Sequence, residues 1–144
     1  MNSDVYKILY CSKNLIEGEN AKRDAEIGRI LQTARRKNKE QNVTGALLFN
    51  SGYFAQALEG PRLAIEQIFE RIQRDPRHGD VTVLSSQTDG RRDFLEWSMA
   101  YAAPPGGAAS AHMAAVALDT ALLNPAASAE EVLGLLRALV IQED

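Results

Sequence analysis

The chain has 144 residues, enough for one domain with an added tail, and its 45% apolar and 24% charged residues are ordinary for a globular protein. A net charge of −3 gives no basic surface for nucleic acid, and a single cysteine excludes an internal disulfide and a thiolate metal cluster. No secretory signal and no apolar run of roughly the 18 residues of a membrane span is present, so we expect a cytoplasmic protein without membrane, nucleic-acid or metal partners.

Alternating apolar residues and turn signals divide the first two thirds of the chain into strands and two helices. On the first strand, Tyr6 and Tyr10 share one face. Five strands are predicted, at 5–11, 43–49, 53–59, 81–86 and 97–101. The helices are predicted from about 21 or 24 to 38, and from Pro61 to a stop at Asp75-Pro76, each on an apolar stripe at helical spacing.

This order of elements predicts an α+β fold of the ferredoxin-like βαββαβ(β) type, an antiparallel sheet with two helices on one face. Residues 1–101 would form that domain. Residues 102–144 would form a linker and a C-terminal helical extension. A fold of this kind does not by itself indicate a function.

The extension is predicted to hold two helices. An Ala-rich helix over 112–123 is followed by a break at Asn124-Pro125, and Ser128 with Glu131 forms a capping-box pattern before the last helix. The apolar stripe of that helix needs cover, either from the open face of the sheet or from a partner. We therefore predict that the chain forms a homo-oligomer and passes its output to a separate protein.

Several polar side chains fall where the pattern expects apolar ones. Gln56 shares a strand face with Phe54 and Leu58, Asn38 extends the apolar stripe of the first helix, and Tyr10 ends a strand face. Each has a plain structural reading as well. Gln56 could be a core amide whose hydrogen bonds are satisfied or lie on a misassigned edge, Asn38 a helix cap, and Tyr10 a core residue.

Three further features are equally ambiguous when each is taken alone. Arg71 and Asp75 form an (i, i+4) pair that is ordinarily a surface salt bridge, His78 is by default a loop histidine, and a Trp97/Met99 pair is ordinarily core packing. Together with the two amides and the phenol, the Arg71–Asp75 pair would lie near the helix side of one small sheet. Such a lining suits a flat ring with carbonyls and an imide.

The segments YKILYCSKN, NVTGALLF, GYFAQALEGP, DPRH and RRDFLEWSM together resemble a BLUF domain, a sensor of blue light using FAD. The resemblance covers about residues 4–101, and Asn42-Val43 departs from the glycine-isoleucine common in the family. It implies a photosensory domain, not an enzyme, that binds FAD non-covalently, with FMN as the alternative flavin, and signals to a separate effector protein.

By position, the resemblance assigns site residues. The photoactive group would be Tyr10, Gln56, Trp97 and Met99. The flavin would be held by ten residues: Ile30, Lys37, Asn38, Phe54, Gln56, Arg71, Ile72, Asp75, Arg77 and His78. The resemblance implies that Tyr10 gives an electron to the excited flavin, and that Gln56 then rotates or tautomerises and reverses its hydrogen bonds.

Two other readings of the same fold stay open. One is a small hydrolase in the manner of acylphosphatases, but the chain shows no arginine-bearing phosphate loop and no convincing nucleophile–base pair. The other is a non-photochemical ferredoxin-like interaction module without flavin. Colour separates the readings, because the photoreceptor would be yellow and the other two colourless.

Overall fold

A computed structural model describes residues 5–16, 20–49, 52–88, 91–94, 98–102 and 108–139. The strands are β1 (Tyr6–Asn14), β2 (Thr44–Phe49), β3 (Tyr53–Gly60), β4 (His78–Thr88) and β5 (Ala100–Ala102). The helices are α1 (Asn20–Glu40), α2 (Arg62–Arg74), α3 (Ala108–Leu123) and α4 (Pro125–Leu139). The predicted order of elements is confirmed. β1, β4 and α1 run further than the sequence pattern indicated, whereas β5 is shorter than predicted and begins at Ala100.

The five strands form one sheet in the order β4-β1-β3-β2-β5. The first four pair antiparallel, as the ferredoxin-like prediction requires, whereas β5 pairs parallel to β2. Since β4 and β5 lie at opposite edges, the chain between them has to cross the whole sheet. Within it, residues 91–94 contact β1, β2 and β3 through hydrogen bonds to Lys7, Thr44 and Glu59.

One face of the sheet carries α1 and α2. Strand alternation places Tyr6, Ile8 and Tyr10 there, as predicted, because successive side chains point to opposite faces. The buried residues of this layer come from both helices and from the strands beneath them: Ile8, Tyr10, Ile27, Leu31, Val43, Leu47, Phe54, Leu58, Ile65, Ile68 and Met99. This layer therefore holds the polar residues singled out from the sequence as well as the core.

The other face is covered by α3 and α4. Leu118 of α3 and Leu136 of α4 pack with Leu9 of β1 and Leu84 of β4 in a second buried cluster. The apolar stripe of the last helix thus lies on the open sheet face, one of the two covers that were predicted for it. In the part of the chain that the structure describes, no helix is long and apolar enough to cross a membrane.

The predicted capping box is wrong. The last helix begins at Pro125, three residues before Ser128, and the Ser128 N–H already donates to the Asn124 carbonyl at 3.1 Å within the first turn. Proline is favoured at the first helical position because the N–H that it lacks would have no partner there. The Ser128 side chain is buried and does not cap the helix.

The C-terminus of α1 closes in a Schellman motif. The Val43 N–H donates to the Asn38 carbonyl at 2.8 Å and the Asn42 N–H to the Lys39 carbonyl, while Asn42 takes a left-handed φ of 60°. Asn tolerates this conformation better than other residues with a Cβ. The departure of Asn42 from the glycine common in BLUF domains therefore falls on the position that needs a left-handed residue.

We expect Asn42→Val to lower the free energy of unfolding by about 1–2 kcal/mol, because a β-branched residue is strained at this φ. Asn42→Gly should lie within about 0.5 kcal/mol of the unmodified protein. The Asn42 side chain is exposed, so the difference between the valine and glycine variants reports the backbone strain at this position. Urea unfolding of both variants measures the difference, and equal stability of the valine and glycine variants would contradict it.

Candidate functional site

A cavity of about 430 Å³ lies between α1 and α2 above the sheet. All ten residues predicted to hold a ligand line it: Ile30, Lys37, Asn38, Phe54, Gln56, Arg71, Ile72, Asp75, Arg77 and His78. Seven more line it that are not among the predicted ones: Glu26, Arg29, Thr33, Ala34, Leu47, Leu58 and Ile68. Positions three and four apart share one helix face, so spacing from Ile30 and Asn38 could have indicated those on α1.

Tyr10 and Gln56 form the buried polar pair beneath this cavity. They lie directly opposite each other in the antiparallel β1–β3 pair and share its helix face. The Tyr10 hydroxyl donates a hydrogen bond to Gln56 Oε1. Burial, with a smaller effect of the Asp75 charge, holds the pKa of Tyr10 well above its usual value, so the phenol keeps its proton.

The amide nitrogen of Gln56 points to Met99, the residue directly before β5. Gln56 Nε2 lies 3.6 Å from Met99 Sδ, and Met99 is buried. The amide therefore offers its acceptor to Tyr10 and its donor to a thioether, a weak acceptor. Trp97, the second predicted residue of the Trp97/Met99 pair, lies outside the described residues.

Asn38 is buried on α1 and ties the helix to the chain before β5. Its Nδ2 donates to the Ser98 carbonyl at 2.7 Å, and Arg35 Nε donates to the Met99 carbonyl at 3.0 Å. Asn38 Oδ1 has no hydrogen bond to any described residue, and the side chain lines the cavity. The reading of Asn38 as the helix cap is wrong, because α1 continues to Glu40 and Asn42 takes the left-handed cap position. The Asn38 side chain lines the cavity instead.

The predicted Arg71–Asp75 pair is wrong. Asp75 follows the last residue of α2 with an extended backbone, ψ 121°, so its carboxylate leaves the helix surface. Its carboxylate accepts three side-chain hydrogen bonds of 2.5–3.0 Å from Arg77, and Arg77 also binds Glu26 of α1 at 2.7 Å. The Arg77 side chain holds the pKa of Asp75 below its usual value. Arg71 has no ion-pair partner within the described part of the chain.

His78 is the first residue of β4 and not a loop residue. The Phe54 ring lies 4.4 Å from the imidazole, centroid to centroid, and Ser12 Oγ lies 2.8 Å from Nδ1. Burial lowers the pKa of His78 to about 4, and Arg77 adds to that effect while Asp75 opposes it. The imidazole is therefore neutral near pH 7.

This burial predicts a pH dependence of stability. The folded protein binds a proton at His78 only near pH 4, whereas the unfolded chain binds it near the ordinary pKa of 6.5. Stability from His78 is thus complete above pH 6.5 and falls by about 2–3 kcal/mol as the pH is lowered to about 4. Urea unfolding across this range should show that the free energy of unfolding falls, and His78→Gln should remove the part of the fall that His78 causes. An unchanged slope in His78→Gln would contradict the assignment.

A family model described as "BLUF: Sensors of blue-light using FAD" matches residues 5–100. Over 75 residues the chain is 40% identical to photoactivated adenylate cyclase subunit beta of Euglena gracilis, covering 51% of this chain and 9% of the cyclase subunit. Over 59 residues it is 41% identical to the blue light- and temperature-regulated antirepressor BluF of Escherichia coli (strain K12), covering 41% of this chain and 15% of BluF. The chain thus spans a small part of the length of both curated relatives.

The fold is also similar to solved BLUF structures. The dark-state structure of BlrB, a BLUF protein, aligns with a TM-score of 0.75 at 26% identity, covering 94% of this chain and 97% of BlrB. Klebsiella pneumoniae BlrP1 aligns with a TM-score of 0.65 at 26% identity, covering 91% of this chain and 32% of BlrP1. The resemblance inferred from the sequence motifs is confirmed. The chain belongs to the BLUF family, the sensors of blue light using FAD.

Proposed function

We propose that this chain binds a flavin non-covalently in the cavity between α1 and α2 and signals blue light by reversing the Gln56 amide. The single observation that carries the proposal is the buried contact chain from Tyr10 through Gln56 to Met99 at that cavity. The input is light and the output is a changed set of hydrogen bonds. In this role the chain is a photosensor and not an enzyme.

The residues present suit a flat ring with apolar faces and polar edges. Ile30, Phe54 and Ile72 offer apolar walls, and the volume of about 430 Å³ lies within the range of small-molecule sites. Asn38 Oδ1 can accept from an imide N–H. Gln56 sits beside the cavity with an amide that can either donate or accept.

Gln56 is a two-state element because its two ends differ. With Oε1 bound to Tyr10, the amide presents its N–H₂ toward Met99; turned over, it would present N–H₂ to Tyr10 and its carbonyl to the opposite side. A mismatched buried group costs about 1–3 kcal/mol, so each arrangement needs a matching Tyr10 hydroxyl orientation. When bound, a flavin would supply blue-light absorption and an excited state that takes an electron from a nearby phenol.

FAD is the flavin that we propose. The family description names FAD, whereas one BlrP1 structure was determined with FMN. Arg29, Lys37 and Arg71 line the cavity as cations and suit the phosphates that both cofactors carry. Chromatography of the flavin released by denaturing the purified protein distinguishes the two.

A separate effector is the proposed recipient of the signal. The relatives include a cyclase subunit and an antirepressor, and in this chain residues 1–101 would form the photosensory domain with residues 102–144 as its helical extension. We place the protein in the cytoplasm. Homo-oligomer formation stays a prediction. The exposed apolar stripe of the last helix no longer supports it, because α4 packs on the sheet.

An absorption spectrum before and after blue light tests the proposal. A flavin spectrum that shifts to the red under light and recovers in darkness is the expected result. A colourless protein that takes up no added flavin would overturn it. The reading as a non-photochemical interaction module would then be favoured.

Asn38→Ala should weaken flavin retention about tenfold, since it removes one amide that faces the cavity. Lys39→Ala is the matched control, because Lys39 is an exposed neighbour on α1 that does not line the cavity. Flavin fluorescence titration of both variants measures the dissociation constants. An unchanged constant in Asn38→Ala would remove Asn38 from the flavin contacts.

A further inference from the structure

Ser12 and His78 form a second, partly buried polar pair, separate from Tyr10 and Gln56, and His78 lines the cavity. Ser12 lies two residues after Tyr10 on β1, so its side chain points to the same helix face. Its residue is 0% exposed, and its hydroxyl lies 2.8 Å from His78 Nδ1. Among the residues that the structure describes, the Ser12 hydroxyl has no other hydrogen-bond partner.

The His78 ring is held on one edge and one face. Ser12 binds Nδ1, and the Phe54 ring lies 4.4 Å away with 35° between the two planes. Nε2 makes no hydrogen bond within the described ranges, and the residue lines the cavity. Nε2 is thus the one polar atom of the ring left for a ligand.

The Ser12 hydroxyl decides which nitrogen of the neutral ring carries the proton. A buried O–H needs an acceptor, and the available one is the lone pair of His78 Nδ1. If Nδ1 carried the proton, the Ser12 hydrogen would have no acceptor among the described residues. The favourable arrangement therefore places the single ring proton on Nε2, because only that tautomer leaves Nδ1 free to accept.

We infer that Ser12 is a positioning residue that sets His78 as an Nε2–H donor to an acceptor on the flavin ring. The inference rests on the proposed function, because the acceptor belongs to the flavin. A flavin ring has several acceptors, its carbonyl oxygens and ring nitrogens, but one imide N–H. The His78 Nε2–H would donate to one of the flavin acceptors, and Asn38 Oδ1 would accept from the imide N–H.

Nitrogen-15 NMR of the imidazole tests this directly. The chain has two histidines, so a His112→Gln variant assigns the signals. In the flavin-free protein at neutral pH, His78 should be the Nε2–H tautomer, and it should become a mixture in Ser12→Ala. Ser12→Thr keeps a hydroxyl and should restore the single tautomer. An Nδ1–H tautomer in the unmodified protein, or the same tautomer ratio in Ser12→Ala, would overturn the inference.

Flavin affinity supplies the second measurement. Ser12→Ala should raise the dissociation constant about 3- to 10-fold, and Ser12→Thr should stay within about twofold of the unmodified protein. Ser86→Ala, an exposed serine of β4 outside the cavity, is the control and should change nothing. Normal flavin uptake with an Nδ1–H tautomer would overturn this inference alone. Absence of any flavin uptake would overturn it together with the proposed function.

Discussion

Replacing Tyr10 by Phe is expected to leave the flavin bound and to abolish the light-induced red shift. Tyr10 does not line the cavity itself; it reaches the site through its hydrogen bond to Gln56 Oε1. The ring stays packed near Phe69, with 5.3 Å between centroids, so the change removes little more than the hydroxyl. Without that hydroxyl, the Gln56 amide loses its phenol partner, and the proposed electron donor is gone.

Tyr6→Phe is the matched control for this experiment. Tyr6 lies on the same strand and the same face, four residues earlier, and makes no hydrogen bond to Gln56. Its absorption shift under blue light should be normal. A normal shift in Tyr10→Phe would contradict the assigned role of the phenol. Loss of flavin from Tyr10→Phe would show that Tyr10 is needed for flavin binding and not only for the light response.

Much of this pair could be predicted from local sequence alone. Alternation places Tyr10 and Gln56 on the faces of their own strands, and both assignments are confirmed. Their direct contact could not be predicted in this way, because it depends on the register of β1 against β3, which joins residues 46 positions apart. In the sequence, only the resemblance to BLUF domains linked the two residues.

The errors have local physical causes. The (i, i+4) rule for Arg71 and Asp75 assumes a helix through both, but the residue before a proline is pushed to an extended conformation, and Pro76 follows Asp75. Ser128 and Glu131 fit a capping box, yet Pro125 starts the helix a turn earlier. In both cases a proline outweighs a side-chain pattern.

Glu59 shows what local pattern cannot indicate. Its residue is 1% exposed, and its carboxylate accepts from the backbone N–H groups of Asp93 at 2.5 Å and Phe94 at 2.9 Å, and from the Thr44 hydroxyl at 3.0 Å. Two of these partners lie 34 and 35 residues further along the chain. The local sequence cannot explain why a carboxylate is buried at the end of an apolar strand, because two of its hydrogen-bond donors come from the segment that crosses the sheet.

We expect Glu59→Ala to lower the free energy of unfolding by about 3–4 kcal/mol, because it leaves two backbone N–H groups and a hydroxyl without their acceptor. Glu59→Gln keeps one carbonyl oxygen for Phe94 and Thr44 but turns an N–H₂ toward the Asp93 N–H, so about 1–2 kcal/mol should be lost. Glu66→Ala removes an exposed carboxylate paired with Arg62 and should cost less than about 0.5 kcal/mol. Urea unfolding ranks the three variants.

Glu59→Ala should also loosen the connection between the sheet and α4. Asp93, which Glu59 holds through its backbone, binds Lys7 of β1 and Arg137 of α4 through its carboxylate. Hydrogen exchange in Glu59→Ala should therefore rise at Asp93 and Phe94 and along the α4 turn that carries Arg137. Asp93→Ala separates the two effects, because it keeps the Glu59 hydrogen bonds and breaks only the side-chain ion pairs. If Glu59→Ala leaves exchange in α4 as slow as in the unmodified protein, the segment 91–94 does not hold that helix.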